Sequence, residues 1–419
     1  MRASVGRAKL TDRIGLAFLL LLPPMLLHGR GIADILICAL DLLFLARCLR
    51  NRDWGWLRQN WVAVAAAFWV WMVVCTALVG EARPLGQAVV TIRLLLLVAA
   101  CQIWLLRLPQ AGTYLAVVFA ACAGWVALEV WQQYLFGADL FGYRRAGDGI
   151  LTGPFQKERA GPAYLDLFFP AVLPLVMPLL ASRPLRDKLL GLLLLLLAAA
   201  SMLLIGQRMP ALLMFLGLAT TALLVRGLRL PVCVALAACA AFAAALPVLS
   251  PPTFQRLVLH FLEQMRHFWV SDYGHLFVRA VAMVRAHPWL GLGYDGFRNN
   301  CYDPALLGGD PWLGIAQSRI DAVVDGCNLH PHNYWLEVAT SFGLPGMVLF
   351  TALVLLWLAA MAGVVRRRPG AVQTGVLVGA VVLLWPIASR SSLFVVDAGG
   401  WAFLVVGWGL AAARARDDG

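Results

Sequence analysis

The sequence predicts an all-α polytopic membrane protein of about 12 transmembrane helices with one large helical loop outside the bilayer. Three observations carry that expectation. Of 419 residues, 61% are apolar and only 13% charged, against about 25% charged in a soluble domain; mean hydropathy is +0.79. Apolar runs recur along most of the chain, each near the roughly 20 residues that a bilayer core of about 30 Å requires. The arginines gather in the short loops between alternate runs.

Taken in order, the runs fall near 14–28, 31–49, 61–80, 86–106, 113–136, 160–181, 187–206, 209–226, 230–249, 335–362, 371–389 and 392–413. Basic residues precede the first, but Leu27-His28-Gly29-Arg30 offers no small-residue cleavage site, so it is expected to remain as a helix. One side of the bundle collects Arg47, Arg50, Arg52, Arg58, Arg107, Arg183, Arg186, Lys188, Arg226, Arg229, Arg366–Arg368, Arg414 and Arg416. The positive-inside rule makes that side cytoplasmic, with both termini inside. The net charge of +12 is therefore an orientation signal; no basic-aromatic stripe accompanies it, and nucleic acid is excluded as a partner.

This divides the chain into nine helices over 1–249, a large external loop over 250–334, and three helices with a short tail over 335–419. Loops longer than about 12–15 residues usually carry function or disorder, so the external loop is where function is sought. Its apolar residues at three- and four-residue steps predict one helix over Thr253–Val270 and a second near 275–286, stopped at His287-Pro288. Cys301 and Cys327 are the only cysteines in this loop. In an oxidising compartment they can pair; otherwise they are two free thiols.

Charges on the side opposite the positive loops are the informative ones. Arg208 sits in the short external turn Gly206-Gln207-Arg208-Met209-Pro210, either snorkelling to lipid phosphate or binding a ligand. Arg279, Arg285 and Arg390 are also external, and the four define an electropositive boundary suited to phosphate or pyrophosphate. Arg279 and Arg285, six residues apart on one helix, lie about 120° from a common face. Pro331 is expected to start the tenth helix, with His332 in its first turn as a general base or as part of an aromatic belt beside Tyr334 and Trp335. His330 is the weaker candidate. Gly291-Leu-Gly-Tyr-Asp-Gly296 fits a dinucleotide fingerprint but follows no strand; it predicts a tight turn over the site. Asp34, Asp41, Glu129, Asp166 and Arg93 lie in or near apolar runs, where charge is costly and often functional. No metal-ligand spacing and no P-loop appears, so no cofactor is expected.

In this order the motifs resemble a known family. His330-Pro-His-Asn-Tyr-Trp-Leu-Glu-Val-Ala-Thr-Ser-Phe-Gly-Leu-Pro-Gly346 resembles the H-N-x-x-L … G-l-x-G signature of the O-antigen ligase/polymerase superfamily. Arg279 with His287-Pro-Trp-Leu-Gly-Leu-Gly293, Gly149-Ile-Leu-Thr-Gly-Pro-Phe155 and Gln207-Arg208 resemble its other segments. The departures fall at 158–162, where the family has Pro-Asn, and at Met209. The resemblance implies a GT-C-type membrane glycosyltransferase acting on undecaprenyl-diphosphate-linked glycans at the periplasmic face of the inner membrane. It implies His332 as the base and Arg208 and Arg279 on the pyrophosphate; beside them Arg285, Arg390, His330 and Asn333 are expected as further substrate contacts. A ligase, using lipid A–core as acceptor, is favoured over a polymerase by the span count and the single dominant external loop. A lipid-linked-polysaccharide flippase would be expected to show repeats or broken helices with midplane charges, and no repeat is found.

Overall fold

The computed structural model describes residues 10–80, 82–147, 149–156, 160–303, 306 and 327–414. The helices are α1 Leu10–His28, α2 Arg30–Asn51, α3 Asn60–Val79, α4 Ala82–Val90, α5 Ile92–Ile103, α6 Ala111–Phe136, α7 Ala160–Ala181, α8 Leu185–Ile205, α9 Arg208–Leu224 and α10 Arg229–Leu249. They continue with α11 Pro251–Phe254, α12 His260–Arg266, α13 Asp272–Ala286, α14 Gly296–Asn300, α15 Tyr334–Arg367, α16 Ala371–Leu383 and α17 Val396–Arg414. Among the described residues no strand forms beyond one isolated bridge, Ala138 to Arg144.

Nine helical stretches among the described residues are long and apolar enough to cross a membrane, against twelve apolar runs in the sequence. The other three runs are also helices. α2 carries Arg30, Asp34, Asp41, Arg47 and Arg50, while α9 and α16 have only 17 and 13 residues. Charge and length, not loss of helix, set them apart.

Packing separates a core from a rim. The apolar window of α17 is 83% buried and that of α10 only 22%, so α17 is central and α10 peripheral. On α8, Leu185, Leu189, Leu193 and Leu197 are exposed at four-residue steps, an outward stripe of the kind lipid tails cover. α7 packs on α6, α8, α9 and α16. A Cβ at Gly375 would lie 2.8 Å from the Phe169 carbonyl oxygen, and one at Gly379 would lie 3.0 Å from the Pro170 ring. Small residues thus let α16 approach α7 closely, as membrane helices do where no hydrophobic force draws them together.

The structure corrects three local expectations. The run expected to extend to 389 ends as helix at Leu383, leaving 384–395 irregular. The first loop helix is interrupted rather than continuous over Thr253–Val270: α11 passes through a π-turn at Gln255–Leu259 into α12, followed by a 3₁₀ turn at Phe268–Val270. α15 is broken at Gly343, whose φ of 67° and ψ of −173° no helix accommodates and which a residue with Cβ adopts only at a cost. The break yields a short outer half, 334–342, and a long inner half, 344–367.

Candidate functional site

His332 is not in the first turn of α15. Pro331 does not start the helix; Asn333 caps it, its Oδ1 accepting from the Trp335 and Leu336 N–H groups at 3.0 Å each. Two free donors in the first turn make Asn a strong cap, and that pushes His332 into the preceding turn with a left-handed φ of 51°. Its carbonyl accepts the Arg390 N–H at 2.9 Å. The Asn333 amide donates to the carbonyls of Pro386, at 2.7 Å, and Ala388. Asn333 is 2% exposed and its polar atoms are spent on the backbone, so it positions the turn rather than offering a contact to substrate.

The irregular segment 384–395 is strapped to the outer half-helix. Trp335 Nε1 donates to the Leu384 carbonyl at 3.2 Å, and buried Glu337 accepts from the Ser392 hydroxyl and, at 2.7 Å, from the Leu393 N–H. Arg390 pairs with Asp166 at the start of α7, both side chains 4% exposed. Arg390 is therefore an internal cation, correcting its place on an open electropositive boundary. Its charge fixes 384–395 to α7, and its backbone N–H fixes His332.

The glycine loop docks on the other side of the same half-helix. The break at Gly343 frees carbonyls: Thr340 O accepts from Leu292 N and Ser341 O from Gly293 N, each at 2.9 Å, and Phe342 O accepts from Trp71 Nε1 at 2.9 Å. A Cβ at Gly291 would lie 2.5 Å from the Ser341 carbonyl, so only glycine permits this approach. The G-x-G-x-x-G turn closes the broken helix instead of cradling a nucleotide.

Asn328, His330 and Tyr273 are among the groups that meet the His332 ring. Asn328 Nδ2 lies 3.3 Å from Nε2, and since Asn328 Oδ1 already accepts the Leu329 N–H at 2.7 Å, its amide donates. Nε2 then carries the lone pair, the form a general base needs. His330 and Tyr273 lie edge-on to it, with centroids at 4.5 and 5.9 Å. Burial, then the neighbouring His332 and Arg298, lower the His330 pKa from 6.5 to about 4, so this ring stays neutral beside His332. The unfolded chain protonates His330 as pH falls through 6.5 while the folded chain resists until about 4, so stability is lost across that window. Thermal unfolding of His330→Asn is expected to show a flatter dependence between pH 7 and 5; an unchanged slope would remove His330 from this role.

The arginines divide. Arg208 opens α9 and lines an open cleft of about 460 Å³ with His260, Glu263, Gln264, His267, Ser271 and Asp272. Its Nη1 donates to the His260 carbonyl at 3.1 Å and to Gln264. Asp272 lines this cleft and the next residue, Tyr273, meets His332, so the first turn of α13 joins the two. Arg279, in contrast, is 2% exposed and donates to the Cys301 carbonyl; Arg285 is exposed on another face of α13. The structure does not present Arg208, Arg279, Arg285 and Arg390 to one ligand.

Cys301 and Cys327 form a disulfide with Cα atoms 5.2 Å apart. It ties the Arg279 acceptor to the residue before Asn328, beside a small core of Leu276, Ala280, Met283 and Phe297. Replacing both cysteines with Ser is expected to cost about 3–4 kcal/mol. Unfolding of the wild type should then depend on reductant and that of the double variant should not; equal midpoints for wild type with and without reductant would oppose a stabilising bridge.

Residues 193–351, which span Arg208, α13, the His332 turn and the break at Gly343, match the family model described as O-antigen ligase. The match supports the likeness of that segment to the O-antigen ligase/polymerase superfamily. No curated protein matches the chain significantly. The O-antigen ligase segment thus includes each motif on which the resemblance rested except Gly149–Phe155. Reading the sequence missed Asn328, Tyr273, Glu337 and Ser392; of these only Glu337, a carboxylate in an apolar run, carried a signal.

Proposed function

We propose that this protein is an O-antigen ligase of the bacterial inner membrane, with both termini cytoplasmic and the His332 turn facing the periplasm. It transfers a glycan from undecaprenyl diphosphate to a sugar hydroxyl of lipid A–core. The observation that carries this reading is the His332 turn: a lone pair on Nε2, fixed by backbone bonds, one chain-neighbour away from an arginine-lined cleft.

The acceptor hydroxyl displaces the Asn328 amide at Nε2 and gives its proton to His332 as its oxygen attacks the anomeric carbon. The bond from that carbon to the diphosphate oxygen breaks, and undecaprenyl diphosphate leaves with the electron pair. Arg208 in the open cleft neutralises charge gathering on the diphosphate, the term that preorganised cations supply best. Arg279 acts behind it, holding the Cys301 carbonyl and hence the disulfide-linked strand that delivers Asn328.

A polymerase would use the same donor chemistry with a second lipid-linked glycan as acceptor. The ligase reading rests on one dominant external loop: the other long one is tied down at Tyr143 and Thr152 by Gln133, whose amide binds Thr152 Oγ1 at 2.8 Å and the Tyr143 carbonyl at 3.1 Å. A lipopolysaccharide gel from source cells lacking the protein tests this. Bare core with lipid-linked polymer accumulating is expected. Core bearing a single repeat would transfer the assignment to a polymerase, and an unchanged ladder would overturn both.

A further inference from the structure

At the end of the bundle opposite the His332 turn lies a second polar cavity that glycosyl transfer does not use. α17 starts beside the Arg390 segment and ends, about 28 Å away by helix rise, at Arg414. That residue lines a cavity of about 440 Å³ with Arg47 from the end of α2 and Arg107 from the turn after α5. Two carboxylates, Asp12 and Asp53, share the lining. Asp12 is engaged, accepting the Trp104 indole N–H at 2.8 Å. Asp53 is half exposed and lies 3.8 Å from Arg47 Nη1, too far for a hydrogen bond.

Two of the lining residues carry buried donors that find no oxygen partner among the described residues. Arg47 Nη1 has no hydrogen-bond partner among the described residues, although its guanidinium lies 6.0 Å over the Trp104 ring. Trp56 is 7% exposed, and its indole N–H has only the weakly accepting Cys48 sulfur beside it. Buried donors are nearly always satisfied. Among the described lining residues three guanidiniums stand against two carboxylates, which makes an anion with several acceptor oxygens the favourable partner. A phosphate matches both the fork of Arg47 and the weakly engaged indole donor of Trp56.

The cavity opens where α1 begins and α2, α5 and α17 end, among arginine and tryptophan residues that collect at the membrane–water boundary. Basic pockets between helix ends at that level suit anionic headgroups. We infer that this cavity binds the phosphate of an anionic phospholipid headgroup, with Arg47 as its main ligand and Trp56 as a second donor. The inference is independent of the role of His332.

The test is thermal unfolding of the purified full chain titrated with phosphatidylglycerol, phosphatidylcholine or inorganic phosphate. Phosphatidylglycerol is expected to raise the midpoint saturably and phosphatidylcholine to do so far less. Arg47→Ala should weaken the apparent phosphatidylglycerol affinity by roughly tenfold or more, the scale of a lost charge-assisted hydrogen bond. Trp56→Phe keeps the ring and removes the donor, and should weaken it by a few-fold; it carries the test if Arg47→Ala does not fold. Inorganic phosphate acting as well as the lipid would keep the phosphate site and overturn its lipid source. Equal affinity in wild type and both variants, or equal effects of the two lipids, would overturn the site.

Discussion

Replacing His332 with Ala is expected to lower glycan transfer by about 10²–10⁴-fold, the usual worth of a general base, with the protein still inserted and abundant. The turn does not depend on the imidazole. Its bonds run through the His332 carbonyl to Arg390 N–H and through the Asn333 side chain to the first turn of α15. The left-handed backbone is already borne by a residue with Cβ, so alanine adds no new strain. His332→Gln separates chemistry from placement: the amide offers an acceptor to Asn328 and a contact to the sugar but cannot take up a proton at working pH. Initial rates with purified protein and a lipid-linked donor decide it. Near-normal transfer by His332→Gln would leave His332 a positioning residue and require another base.

The sequence displayed the helices far better than the relations between them. Each apolar run became a helix because twenty apolar residues have few other ways to satisfy their backbone in lipid. The break at Gly343 was hidden, because Gly-Leu-Pro-Gly inside a long apolar run is also compatible with a kinked continuous span. Asp166 and Arg390 stood out as charges in the wrong solvent, yet 224 positions separate them, and only the close packing of α7 on α16 brings them together. Arg279 shows the converse error. An external loop in the sequence suggested an open arginine, whereas Arg279 is buried and donates to the carbonyl of Cys301, a disulfide cysteine. Position along the chain predicts a side of the membrane but says nothing of exposure.

That long-range pair yields the second large effect. Asp166→Ala is expected to destabilise the protein by about 3–5 kcal/mol, because removing one partner leaves the other as an uncompensated buried charge. Arg390→Ala should cost a similar amount. Transfer should fall with stability, since segment 384–395 holds His332 only while it is itself held to α7. The double variant Asp166→Leu/Arg390→Met is expected to recover most of the stability, as buried pairs replaced by apolar residues of similar size often do. It should also recover transfer in part, because the contact to the His332 carbonyl is made by the backbone N–H of position 390, which any residue but proline supplies. Thermal unfolding and transfer rates of all four proteins form the cycle. A double variant that is stable yet inactive would show that the Arg390 guanidinium acts on substrate directly. An Asp166→Ala protein with an unshifted midpoint would mean that the pair does not fasten this segment at all.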